Sequence, residues 1–199
     1  GPGGHGSMPV RGGAMAHLGR VLTALDRKRT PIHVTPISEA MLSTLARASR
    51  PATGLLLRQL LNPRLAGLLL RATGKRLQMM EPLLRNTISP TMVRAGTKIN
   101  VVPSQIALDL DTRLLPGFTP DQMVEEVRAL VGPGVEIEVL QSGPPLPAEP
   151  NLDQFPLLAG VLQELDPEGV PLPYMIPATT DARFFSQLGI QNYGFTPMN

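Results

Sequence analysis

The chain has 199 residues, 42% of them hydrophobic, with a mean hydropathy of +0.05, which excludes a disordered or collagen-like polypeptide and suits one or two packed cores. It has no cysteine, so a disulfide scaffold and a thiolate metal site are excluded. Net charge is only +2, but residues 1–104 carry 15 basic and 3 acidic side chains while residues 105–199 carry 3 basic and 13 acidic. A basic half raises the possibility of nucleic acid or an anionic membrane as partner. Nucleic-acid motifs and stacking aromatics are lacking, so no nucleic acid is expected, and the bland reading is that the two halves neutralise each other.

The start, Gly1-Pro2-Gly3-Gly4, is not a charged segment followed by an apolar stretch, so no signal peptide is read and the cytoplasm is the expected compartment. His5-Gly6-Ser7-Met8-Pro9 is Gly-rich and turn-like. Ala14 to Asp26 carries Met15, Leu18, Val21, Leu22 and Leu25 at helical spacing, which predicts an amphipathic helix. Arg27-Lys28-Arg29 suits its C-terminal dipole, and Thr30-Pro31 stops it.

Residues Ile37 to Leu84 read as a helical insertion. Ser38 is a candidate cap for a helix starting at Glu39, and Pro51, Pro63 and Gly74 divide the segment. Leu55 to Leu70 is the most apolar run, but Arg58, Pro63 and Arg64 interrupt it and it is shorter than the ~20 residues a membrane span needs. No transmembrane segment is predicted. A packed helical cap and an interfacial amphipathic hairpin are the two readings of this run.

Ile88 to Ala95 is rich in β-formers and ends at Gly96; Gln105 to Leu114 alternates, with Ile106, Leu108, Leu110 and Thr112 on one face. Asn100-Val101-Val102-Pro103 is the turn between them. This hairpin is expected to bring Asn100 and Arg113 near one end, an amide and a guanidinium able to grip a carboxylate. Thr119 caps a helix from Pro120 to Val131, Gly132-Pro133-Gly134 ends it, and Val135 to Val139 alternates as a half-exposed strand. Ser142 to Pro150 is a proline-rich linker. Beyond it the expected elements are a helix over Phe155–Leu165, a short strand over Leu172–Pro177, a helix capped by Thr180 or Asp181 and running through Leu188, and a buried strand over Ile190–Phe195.

Three motifs in order carry a resemblance: G-G-H-G-S-M-P at the start, N-V-V-P followed by D-x-R-L-L-P-G in the centre, and T-T-D-A-R-F-F near the end. Together they resemble the lid (dimerisation) domain and part of the catalytic domain of the dinuclear-zinc amidohydrolases. That family includes aminoacylase, acetylornithine deacetylase and the carboxypeptidase S-like enzymes, and the run S-P-T-M-V-R-A-G-T-K-I-N-V-V-P-S is most similar to the last branch.

The resemblance implies an α+β fold: a ferredoxin-like (βαββαβ) lid over residues 1–141, with residues 37–84 as a helical insertion and the first strand missing or truncated. Residues 142–199 would be a fragment of an α/β catalytic domain. It further implies a homodimer through the lid and a hydrolase cleaving an amide bond next to a free carboxylate, in an N-acyl amino acid or peptide. His5 would be the catalytic residue, reaching into the other subunit's active site to stabilise the oxyanion. Asn100, Arg113 and Arg183 would bind substrate, and the insertion would shape an apolar entrance for the acyl group.

By sequence alone, His5 is a surface histidine among glycines, Asn100 a turn residue, and Arg113 a strand-surface charge paired with Asp111 or Asp109. Asp181 reads as a cap. His17 and His33 belong to no ligand motif and are read as structural or solvent-facing. The family uses two zinc ions, but its His-x-Asp motif does not occur here and the Glu125-Glu126 pair stands without it, so this chain alone is expected to bind none and to be inactive. The alternative is a non-catalytic dimerisation or binding module, which has no need of the H-G-S motif. A basic membrane-surface binder rests on charge asymmetry alone.

Overall fold

The computed structural model describes residues 1–8, 10–72, 79–176, 178 and 180–194. Pro9, the proposed helix stop at Gly74, and the strand ends Pro177 and Phe195 lie outside them. Helices and small antiparallel sheets make the fold α+β. The chain divides into two compact units, the first formed by residues 1–31, 86–114 and 119–140, the second by residues 32–85, 115–118 and 141–199. The helical insertion therefore groups with the C-terminal stretch.

In the first unit, strands β2 (Thr87–Ala95) and β4 (Ile106–Arg113) pair antiparallel. Pairing runs from Thr87↔Arg113 to Ala95↔Ile106, with an irregularity between Pro90 and Met92. Proline cannot donate to a ladder, and a bulge is one of the few places a strand tolerates it. Helix α1 (Ala14–Arg27) packs against both strands and against a second helix, Pro120–Val131. That second helix buries Met123, Val127 and Leu130, one stripe at helical spacing, and opens with a capping box between Thr119 and Gln122. Three polar ties close the unit. Thr30 Oγ1 donates to the Asn86 carbonyl at 2.5 Å, and Asn86 Nδ2 donates to Glu126 Oε1 at 3.2 Å. Lys28 Nζ donates to the Leu130 carbonyl at 2.9 Å, a cation on a helix C-terminus.

Two further strands, β1 (Gly4–His5) and β3 (Val101–Val102), form a separate antiparallel pair. The expected turn at Asn100–Pro103 thus contains a short strand, and the Gly-rich start supplies its partner. The expected strand over Val135–Val139 does not form. Val135 and Ile137 are half-buried and Glu136 and Glu138 exposed, so the alternation is real, but no strand among the described residues offers it a ladder.

The second unit is built on helices α2 (Pro36–Ala48), α3 (Pro51–Gln59) and α4 (Pro63–Ala72) and a 3₁₀ turn at Glu81–Leu83. Their core comprises Met41, Leu42, Leu57, Leu60, Leu70 and Leu84, among others, with Leu172 and Met175 of the C-terminal stretch packed against it. Helix α2 starts three residues before the expected point: Thr35 is its cap, Pro36 its first residue, and Ser38 closes the capping box from inside. Gly54 lies where a Cβ would collide with the Ala46 carbonyl, so the α2–α3 corner closes only around glycine.

Numbering onward, α5 is the helix Pro120–Val131 of the first unit, α6 is Phe155–Leu165 and α7 is Ala182–Gln187. Asp181 holds the N-cap position of α7 without a side-chain bond to the helix, because its own backbone is already helical. The strands expected at Leu172–Pro177 and Ile190–Phe195 are not present over their described residues, and Ile190 is exposed. Helix α6 buries no residue, and Leu157, Val161 and Leu165 are exposed along it. Among the described residues no helix is long and apolar enough to cross a membrane.

The core assignment predicts a contrast in stability. Leu42 is fully buried and Leu68 is exposed. Leu42→Ala is expected to lower unfolding free energy by about 2–5 kcal/mol, and Leu68→Ala by no more than about 0.5 kcal/mol, as read from urea denaturation followed by circular dichroism. Equal losses would contradict this packing.

Candidate functional site

His5 and Asn100 lie far apart in sequence and come together through the β1–β3 pair. Gly4 faces Val102 and His5 faces Val101, and Gly6 N–H donates to the Asn100 carbonyl at 2.7 Å. Immediately after β1 the chain turns, with Met8 N–H donating to the His5 carbonyl at 2.9 Å. A Cβ at Gly6 would sit 3.2 Å from the Asn100 carbonyl oxygen. Glycine at this position lets the two segments approach closely.

The turn also sets the chemistry of the imidazole. Ser7 N–H donates to His5 Nδ1 at 3.2 Å, and Ser7 Oγ lies 2.7 Å from the same nitrogen. A backbone N–H is only ever a donor, so Nδ1 acts as acceptor and the neutral ring carries its proton on Nε2. The resulting Nε2–H is a hydrogen-bond donor on an exposed side chain. Ser7 is a residue that the sequence reading passed over. Its position two residues after a histidine, across a glycine, was the available signal, since Ser side chains bond locally in turns.

Asn100 is exposed as well. The rim around the pair is apolar: Met8 is 70% exposed and Ile99 fully so, with Val101 exposed beside them.

Arg113 is not at that end of the hairpin. Its register partner is Thr87, whereas the connection carrying Asn100 leaves from Ala95 and Ile106. Arg113 is seven residues on from Ile106, about 24 Å along β4. The expected proximity of Asn100 and Arg113 therefore fails, because Asn100 lies in the connection at one end of the hairpin and Arg113 at the open end. Arg113 Nη2 pairs with Asp111 Oδ2 at 2.8 Å on the strand surface, next to the bidentate Arg94–Asp109 pair at 2.6 and 2.7 Å. Both pairs are largely exposed and contribute little stability.

Arg183 belongs to the second unit. Its guanidinium carbon lies 4.6 Å from the centroid of the Phe184 ring, a cation–π contact, and Nη1 would be 3.2 Å from a Cβ at Gly143. Its Nε is buried without a hydrogen-bond partner among the described residues. His33 stacks on Phe118, ring centroids 4.4 Å apart, and His17 borders Gly134; both are packing histidines. Among the described residues no three His, Cys, Asp or Glu side chains are close enough to hold a metal ion. The residues present do not fit a zinc centre.

The pairing has a direct test. Gly6→Val should force β1 away from Asn100 and abolish protection of the Gly6-site amide in hydrogen exchange, while β2–β4 amides keep theirs. Unchanged protection at that amide would show that the two segments do not depend on each other.

The family model for the peptidase dimerisation domain matches residues 1–136. The chain is 27% identical over 200 aligned positions to human N-fatty-acyl-amino acid synthase/hydrolase PM20D1, covering 98% of this chain and 39% of that protein. It is 26% identical to human aminoacylase-1 over 57% of this chain and 29% of that protein. It is 26% identical to probable carboxypeptidase S-like 2 of Dictyostelium discoideum over 60% of this chain and 24% of that protein. The chain thus spans well under half the length of these relatives. No solved structure matches. With the match covering the H-G-S turn, both strand pairs and α5, the chain belongs to the M20 peptidase/aminoacylase family and contains its peptidase dimerisation domain.

Proposed function

We propose that this chain is the lid and dimerisation part of an amidohydrolase that cleaves an N-acyl amino acid or peptide beside its free carboxylate. The observation that supports the reading is the β1–β3 pair, which joins the exposed His5 turn to the backbone of Asn100. When water adds to an amide carbon, negative charge develops on the carbonyl oxygen. An imidazole N–H already aimed outward stabilises that oxygen more than the ground-state carbonyl. Asn100, a second polar residue on the same strand pair, would hold the polar end of the substrate. The apolar rim of Met8 and Ile99 suits a surface that completes its site against another subunit.

In this reading Arg113 and Arg183 are each candidates to bind the substrate, as guanidinium groups able to pair with a carboxylate. Two zinc ions belong to the complete enzyme and are held by residues outside this chain. The homodimer forms across the outer face of α1, where Ala16, Gly19, Thr23 and Ala24 form a shallow depression bordered by Arg20 and Arg27. The β2–β4 pair with α1 and α5 is the part of a ferredoxin-like lid that this reading assigns to the first unit. The names of the relatives point to acyl amino acids as substrates.

In the complete enzyme, His5→Ala should lower kcat by about 10²–10³-fold, the usual cost of one oxyanion donor, and change KM much less. A loss under about threefold would remove His5 from the reaction and favour a purely structural dimerisation module. Separately, sedimentation of the chain should show a dimer, and Gly19→Glu should convert it to monomer. A wild-type chain that stays monomeric at high micromolar concentration would contradict the α1 interface.

A further inference from the structure

The helices of the second unit contain a repeat that the site does not use. Gly54-Leu55-Leu56-Leu57-Arg58 in α3 recurs as Gly67-Leu68-Leu69-Leu70-Arg71 in α4. The two copies are treated alike by the fold. The third leucine enters the core, Leu57 at 4% and Leu70 at 3% exposure. The second leucine is half-buried in each, and the arginine is exposed in each. The first leucine faces water, Leu55 at 62% and Leu68 at 66%.

Leu55 and Arg58 are three residues apart, as are Leu68 and Arg71, so each leucine shares an outward helical face with its arginine. Arg64 extends the α4 stripe one turn the other way, giving Arg64, Leu68 and Arg71 in a line, with Leu65 exposed beside them. Core packing accounts for the buried leucines and leaves the outward ones unexplained.

Charge selects the partner. Residues 36–76 carry seven Lys or Arg and a single acid, Glu39. Arg58, Arg64 and Arg71 have no carboxylate partner among the described residues. Two such faces would repel each other, which disfavours a second copy. A leucine flanked by arginines, whose stems are apolar and whose heads reach phosphate, suits the boundary of an anionic bilayer. The helices are too short to span it.

We propose that the outward faces of α3 and α4 dock on an anionic lipid surface, with Leu55 and Leu68 entering the acyl boundary and Arg58, Arg64 and Arg71 meeting lipid phosphates. Docking of this kind is reversible and salt-dependent, since the arginine contribution is screened. It would place an enzyme of acylated substrates where such amphiphiles partition, but the binding itself requires no turnover and stands apart from the role of His5.

The test is co-sedimentation of the 199-residue chain with vesicles of phosphatidylcholine alone and of phosphatidylcholine with about one third phosphatidylserine, at low and high salt. Binding is expected to the phosphatidylserine vesicles only, and to be lost at high salt. Each arginine is expected to contribute about fivefold to partitioning, so Arg58→Glu with Arg71→Glu should abolish it. Leu55→Ser with Leu68→Ser should weaken it at least about tenfold, with an unchanged circular dichroism spectrum showing that the fold is kept. The proposal is overturned if the wild-type chain ignores the anionic vesicles, if it binds both vesicle types equally, or if both double variants bind as the wild type does. It is also overturned if the leucine variant instead abolishes self-association measured without lipid, which would assign the face to a second copy.

Discussion

The hydrogen bond from Gly6 N–H to the Asn100 carbonyl, with the two-residue strand pair it extends, is the constraint on which the functional reading depends. It is a small interaction. A single backbone bond contributes about 1 kcal/mol net, and two paired residues make no stable sheet alone. What makes it effective is the absence of a side chain at Gly6, which lets the turn close on the Asn100 backbone. The same turn brings the Ser7 amide under the His5 ring. One local closure therefore fixes both the neighbour of the imidazole and the nitrogen that carries its proton.

The two units solve different packing problems. In the first, a two-stranded sheet buries one face under α1, and α1 packs in turn on α5; polar ties at Thr30, Asn86 and Lys28 lock the elements at their ends. Most of β2 stays exposed, Met92 and Val93 included. Such a sheet has open edges and apolar surface left over, as an assembling domain does. In the second unit, leucines from short proline-started helices converge on one core, and the C-terminal stretch adds Leu172 and Met175. Helix α6 and the residues after it leave many apolar side chains uncovered.

Much of this was legible in the amino-acid sequence, and the rest failed for identifiable reasons. Helices α1, α5 and α6 were readable because long apolar stripes and end signals agree. Strands β2 and β4 were readable from alternation and Gly96. The start of α2 was misplaced because Ser38 is a good cap in isolation, while Thr35-Pro36 offers the same cap-plus-proline signal as Thr119-Pro120. The strands at Val135–Val139 and Ile190–Phe195 had the right alternation or apolarity but no ladder among the described residues, and a ladder is a tertiary property. For the site, His5 and Asn100 were identifiable by family motif, but their juxtaposition was not: strands of two residues carry no periodicity. Arg113 was misplaced for a different reason: it ends β4 at the open end of the hairpin, a strand's length from the connection that carries Asn100.

In the proposed function this lid presents His5 to a reaction centre on a second subunit. Subunit mixing in the complete enzyme tests it most directly. Protomers carrying His5→Ala are combined with protomers inactivated only in the remainder of the chain, each inactive alone, and turnover of an N-acyl amino acid is measured after exchange. Recovery of activity in the mixture is the predicted result, because one of the two sites then joins an intact centre to an intact histidine. Absence of recovery despite demonstrated heterodimers would contradict the account and confine His5 to its own subunit.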